Sequence, residues 1–227
     1  MKTLPAIFLL ITCFLGAPAV AQVNESMCGS LTNGFGPFDY RPERDPVTVG
    51  TGDHKHKLYL VEGAHFTREV ELGIKGHRSL TPSGDLSYTL GAFPNHHRAL
   101  MAVMNYGQKM GSEQPQGLRF PVECYFERAV RFANDDPIVR MLYATYLNSR
   151  NRPAEAVPHL ERATTLAKDN PFTHFNIGLV YFDLKMYDRA LAQAHRAIEL
   201  QLPRTELRDM LTKAGHWKDP PAAPKVP

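Results

Sequence analysis

The sequence has little of what marks whole classes of protein. Its 227 residues hold three cysteines and one tryptophan, and no run of lysine or arginine. A formal net charge of +3 without a basic cluster is too weak a surplus to imply nucleic acid. Beyond the first residues no segment approaches the ~18 apolar residues that a transmembrane helix needs, so no membrane span is expected after the leader described below. There is no Gly-x-Ser-x-Gly nucleophile elbow, no Gly-x-x-x-x-Gly-Lys phosphate cradle, no His-Glu-x-x-His zinc pair and no Cys-x-x-Cys. With none of these spacings present, no catalytic residue and no cofactor are assigned, and the chain is read as non-enzymatic. What is there is ordinary in bulk: 43% hydrophobic and 22% charged residues exclude wholesale disorder and a low-complexity fibre.

The ends are not ordinary. Lys2 precedes an apolar run from Leu4 to Leu15, and Ala19-Val20-Ala21 closes it with the small-residue pattern of a signal-peptidase site. Residues 1–21 are therefore read as a signal peptide cleaved after Ala21, placing the mature chain in the periplasm or outside the cell. Removing Lys2 lowers the net charge to +2, and removing Cys13 leaves Cys28 and Cys124. In an oxidising compartment such a pair is expected to form a structural disulfide, the alternative being a reactive thiol. Residues 217–227 are proline-rich and are expected to be extended or disordered.

Between the ends lies a period of 34. Pro137 and Pro171, Ala144 and Gly178, Leu147 and Tyr181, Ala156 and Ala190, and Ala163 and Ala197 are each separated by it. Small residues recur where two helices must cross closely, and apolar residues at helical spacing fill the shared stripe. Asp136-Pro137 and Asn170-Pro171 place a breaker at each helix start. Val122, Phe126 and Ala129 lie 34 residues before Ala156, Leu160 and Ala163, so an earlier repeat is visible. Its first helix should start near Pro94, with about nine extra residues in Gly107–Pro121, read either as a plain surface loop or as a binding loop. This gives repeats at 94–133, 137–168 and 171–202, a capping helix at 203–214, and a repeat region spanning 94–216.

The run Asn176-Ile177-Gly178-Leu179-Val180-Tyr181-Phe182, followed by Tyr187-Asp188-Arg189-Ala190-Leu191, resembles the tetratricopeptide repeat. The resemblance implies an all-α fold, a right-handed superhelix of about three helical hairpins plus a capping helix. It also implies protein–protein binding on the face lined by the first helix of each hairpin. By register that face takes Asn95, Arg98, Ala102, Asn105 and Tyr106 from the first repeat and Ile138, Met141, Thr145 and Asn148 from the second. The third gives Phe172, Phe175, Leu179, Phe182 and Asp183. The face is mostly apolar with one cation, Arg98. It lacks the several cations of the carboxylate-clamp variety. Phe172, Phe175 and Phe182 are also candidates for cover by the capping helix or the N-terminal extension. The expected partner is another envelope protein or a peptide segment of one.

Residues 22–93 hold ten of the 16 glycines, which argues for turns and irregular chain. They are read as an extension docked on the first repeat, with a short strand at Lys57–Glu62. Short helices are expected at Thr67–Leu72 and at Asp85–Leu90, the latter capped by Asp85. His54, His56, His65, His77, His96 and His97 fall within 44 residues. Neutral imidazole suits copper or zinc, so a metal-handling role for His54, His56, His65, His96 and His97 is the alternative function. Against it, no spacing matches a defined site, and adjacent histidines on a helix point ~100° apart.

Overall fold

The computed structural model of the chain describes residues 25–44 and 54–219. The signal peptide with its cleavage site and the tail beyond Asp219 lie outside these residues, as do the side chains of His54 and His56. The fold is all-α. Two short helices, α1 (Glu25–Cys28) and α2 (Tyr40–Arg44), precede α3 (His54–His65), α4 (Arg68–Glu71) and α5 (Pro82–Ala92). Then come α6 (His97–Met110), α7 (Val122–Phe132), α8 (Pro137–Ser149), α9 (Pro153–Ala167), α10 (Pro171–Asp183), α11 (Tyr187–Glu199) and α12 (Glu206–Lys213).

The sequence starts each of these hairpins in the same way. At the first helix (A) of each, a side chain accepts a backbone N–H that has no partner within the helix. His96 accepts from Ala99 N, Asp136 from Ile138 N and Val139 N, and Asn170 from Thr173 N. Each A helix also stops in the same way. The backbone turns left-handed at Gly111, Asn151 and Lys185, and the next N–H reaches back five residues, to Gly107, Leu147 and Tyr181. These marks step by 40 and then 34 residues. The second (B) helices step by 34 from Val122 to Ala156 to Ala190, so the turn between α6 and α7 holds six extra residues, fewer than the nine expected.

The pairs α6–α7, α8–α9 and α10–α11 pack as hairpins, A helices neighbour A helices, and each B helix also meets the next A helix. Small residues make the crossings close. A Cβ on Gly178 would sit 2.4 Å from Leu207 Cδ2 and 3.1 Å from Gln193 Cβ. One apolar cluster runs from Phe66 and Leu86 through Phe126, Leu160 and Ala194 to Leu211. Leu207 and Leu211 close it, so α12 caps the array. The described part of the tail is not loose: Trp217 packs on the core, with the Arg208 guanidinium over its ring.

The extension departs from expectation. Lys57–Glu62 is part of helix α3, not a strand, and most of residues 54–92 is helical rather than irregular. Helix α5 packs against α3 and then against α6, as a B helix does. Its buried Pro82, Leu86, Thr89 and Phe93 lie 40 residues before Val122, Phe126, Ala129 and Ala133, which are also buried. The repeat register therefore begins one hairpin earlier than the sequence pattern showed. Glycines hid it, because Gly84 and Gly91 interrupt the apolar stripe without breaking the helix.

Asp85 is inside α5 and does not cap it. Its buried carboxylate accepts N–H groups from His77, Arg78 and Ser79, at 2.7, 3.3 and 3.1 Å, and meets His65 Nδ1 at 2.8 Å. Burial opposes ionisation, but these bonds outweigh it and hold the Asp85 carboxyl below its ordinary value.

The chain before α3 is stitched on. Cys28 and Cys124 form a disulfide. Arg128, almost fully buried, donates to the carbonyls of Cys28, Gly29 and Ser30, and Arg131 to that of Gly29. Phe35, Phe38 and Tyr40 then pack with Leu58, Val61, Ala92 and Phe93 in a second, smaller apolar cluster.

Candidate functional site

The A helices α6, α8 and α10 lie side by side, and their shared phase defines one face. The start marks align Arg98 with Ile138 and Phe172, and Met101 with Met141 and Phe175. They align Asn105 with Thr145 and Leu179, and Gln108 with Asn148 and Phe182. Residues three, seven and ten along a helix return close to the same direction at 100° each, so every set of four forms one stripe.

Exposure divides these residues. Phe172 is 58% exposed, while Leu179 and Phe182 are half-buried along the same stripe. Phe175, expected on the face, is 2% exposed, with the Arg204 guanidinium 4.5 Å over its ring. Met141 is also buried. Both belong to the contacts between neighbouring A helices, so the open apolar surface is narrower than the sequence suggested. Phe182 rests edge-on against Tyr187, at 5.3 Å between ring centres.

Polar side chains occupy the rest of the face. Asn105 is exposed and Thr145 and Asn148 half-buried; the Thr145 hydroxyl is turned inward to the carbonyl of Met141. Asn105, Gln108, Asn148 and Asn176 form no side-chain hydrogen bond among the described residues, which leaves their amides open. A recess of about 140 Å³ opens beside α6, between Glu71, Leu72 and Gly73 on one side and Ala102, Asn105, Tyr106 and Lys109 on the other.

Arg98 is not a free cation. It donates to Glu71 at 2.9 Å through Nε and at 2.5 Å through Nη2, and it lies 3.6 Å from Glu62. Asp183, at the end of α10, has no cation on it, and partial desolvation pushes its carboxyl above the ordinary value. Sequence reasoning missed Met101, which is 46% exposed, and the amides of Gln108 and Asn176. The 40-residue step between His96 and Asp136 would have located Met101 and Gln108. That step is hidden when only the 34-residue period is counted.

The histidines do not converge. His96 is fully buried, stacked on Tyr40 and edge-on to Phe66. Burial lowers its pKa, so it is neutral. Its Nδ1 accepts from Ala99 N, which leaves Nε2–H to donate to Glu62 at 3.0 Å. His97 Nε2 meets Asp136 at 2.8 Å, and His65 meets Asp85. Each is held by a different carboxylate, and no group of three metal-ligating side chains occurs among the described residues. Their common work is structural. Asn95 binds Tyr40 N, Asp39 and Asp136, and Arg41 lies across Asp39, Asp135 and Asp136. This network clips α2 to the turn between repeats.

Nor is Gly107–Pro121 an open loop. Gly107 to Met110 belong to α6, and Leu118 is buried. Glu113 accepts from Tyr146 Oη and pairs with Arg150, and Arg119 N donates to Ser87 Oγ. No protein-family model and no curated protein matches this chain.

Proposed function

We propose that the protein is an exported, non-enzymatic adaptor of the tetratricopeptide-repeat kind. On this reading its A-helix face holds a segment of another envelope protein, by apolar anchoring and backbone hydrogen bonds, with no covalent step. The observation that carries it is the line of Phe172, Leu179 and Phe182, incompletely covered by α12, beside four amides with no protein partner. Unpaired amides can each pair with the N–H and C=O of an extended chain, and an aromatic anchor supplies most of the affinity at such a surface. The leader-like start and the Cys28–Cys124 bridge support export to an oxidising compartment.

Replacing Phe172 and Phe182 with alanine tests it. Both are partly exposed, so the fold should survive, while binding of an envelope partner weakens by about 2–4 kcal/mol. The measurement is recovery of partners from envelope extract by wild-type and variant protein. Equal recovery by the two, or none above background by either, would count against the proposal. A metal-handling role finds no favouring observation, since His65, His96 and His97 are each committed elsewhere.

A further inference from the structure

Lys109, Ser149 and Asp183 occupy the same position at the ends of α6, α8 and α10, each two residues before the left-handed turn. They run cation, hydroxyl, anion across the A-helix face. Lys109 and Asp183 are both exposed. The Lys109 ammonium donates to the carbonyl of Gly73 at 2.8 Å and meets no carboxylate among the described residues. Asp183 accepts no side-chain bond and pairs with no cation, and Lys185 forms no ion pair with it. The other charges nearby cancel locally: Arg98 with Glu71 and Glu62, Arg150 with Glu113, and Arg204 with Glu206. What remains is one positive charge at the α6 end and one negative charge at the α10 end, with open amides between them.

We infer that this face reads its partner in a single polarity. The occupant is an extended segment of another protein. Its acidic side chain meets Lys109, its basic side chain meets Asp183, and its apolar side chains beside the basic one meet Phe172 and Leu179. The inference rests on the adaptor reading and adds the chemistry and direction of the ligand. Neighbouring helix axes lie ~8–10 Å apart, so two steps span ~16–20 Å. An extended chain rises ~3.3 Å per residue, which puts the acid and the base five to six residues apart. Charge order sets specificity here because a reversed segment would place like charges together at both ends.

Selection from a displayed library of random dodecapeptides on the disulfide-intact protein tests this. Enriched peptides should carry an acid and a base at that spacing, with a large apolar residue next to the base. A synthetic peptide of this kind should bind about tenfold more tightly than its isomer with the two charges exchanged. The double variant Lys109→Glu with Asp183→Lys should invert that preference, and thermal melting confirms that both surface changes leave the fold intact. If enriched peptides lose binding in the Phe172→Ala, Phe182→Ala protein but show no charge order, the adaptor reading stands and the polarity falls. If no peptide is enriched, both fall. Concentration-dependent self-association, abolished by deleting residues 220–227, would assign the face to a second copy and overturn the choice of a foreign segment.

Discussion

The two ends of the array are held by different forces. From α8 to α11 the contacts are small and aliphatic: Ala144, Ala156, Leu160, Ala163, Ala190, Ala194 and Ala197 are all buried, and the helices repeat every 34 residues. From Cys28 to α6 the repeat register persists in α5, but the packing around it is polar and covalent. There the Cys28–Cys124 bridge, the Arg128 grip on three carbonyls, and the carboxylates of Asp85 and Asp136 replace aliphatic fill. A helix in a regular array is specified by its neighbours' shape. A segment at the end of the array has a neighbour on only one side, and directional bonds supply what packing cannot.

Removing the bridge should show this contrast most strongly. Cys28→Ser with Cys124→Ser opens a loop with a sequence separation of 96 residues, which on the chain-entropy model destabilises by about 4 kcal/mol. Hydrogen exchange should rise in residues 28–44 and α7 and stay unchanged in α8–α11. A uniform rise across all repeats would mean the two regions are one cooperative unit. Asp85→Asn comes next. The amide turns a donor toward backbone donors in a buried site, at a cost of about 2 kcal/mol, read from the urea midpoint. Fast exchange should then appear at the His77–Ser79 amides, with no change at the equivalent turns of α9 and α11.

The smallest effect is one of pH. Burial alone would raise the Asp39 carboxyl, but hydrogen bonds from Arg41 and Asn95 bring it down to about 2. Because the folded value lies below the unfolded value of ~3.9, this clip stabilises fully above that pH. Its contribution is lost as pH falls through about 2. Asp39 is about one-third exposed, so the effect is screened. Limited acid proteolysis should cut near Arg41 before it cuts any repeat helix. Simultaneous cutting would remove the distinction.

The same contrast explains what could be read in advance. Pro137, Pro171 and the paired alanines of the B helices announce α8–α11, because aliphatic packing leaves a periodic trace. The Cys28–Cys124 pairing followed from a count of two. The α3–α5 hairpin left little trace, since Thr89 and Asp85 take positions that are apolar elsewhere and glycines break the stripe. At the candidate site, Phe172, Leu179, Asn105 and Asn148 were legible from phase alone. The burial of Phe175 and Met141 depends on how closely the A helices approach. The neutralisation of Arg98 depends on Glu71, 27 residues earlier in a separate element. Neither is encoded in local spacing.

The disulfide also has a topological consequence. Cys28 and Cys124 close a covalent ring that contains α2 through α6 and the exposed turn carrying Ile74 and Leu80. A protease that cuts this turn severs the backbone but not the molecule. The two pieces stay tethered through sulfur, with the α3–α5 interface and the apolar cluster still available to hold them in register. Damage at the most accessible point of the N-terminal part thus leaves a nicked protein whose repeat face is still presented, for as long as its surroundings remain oxidising.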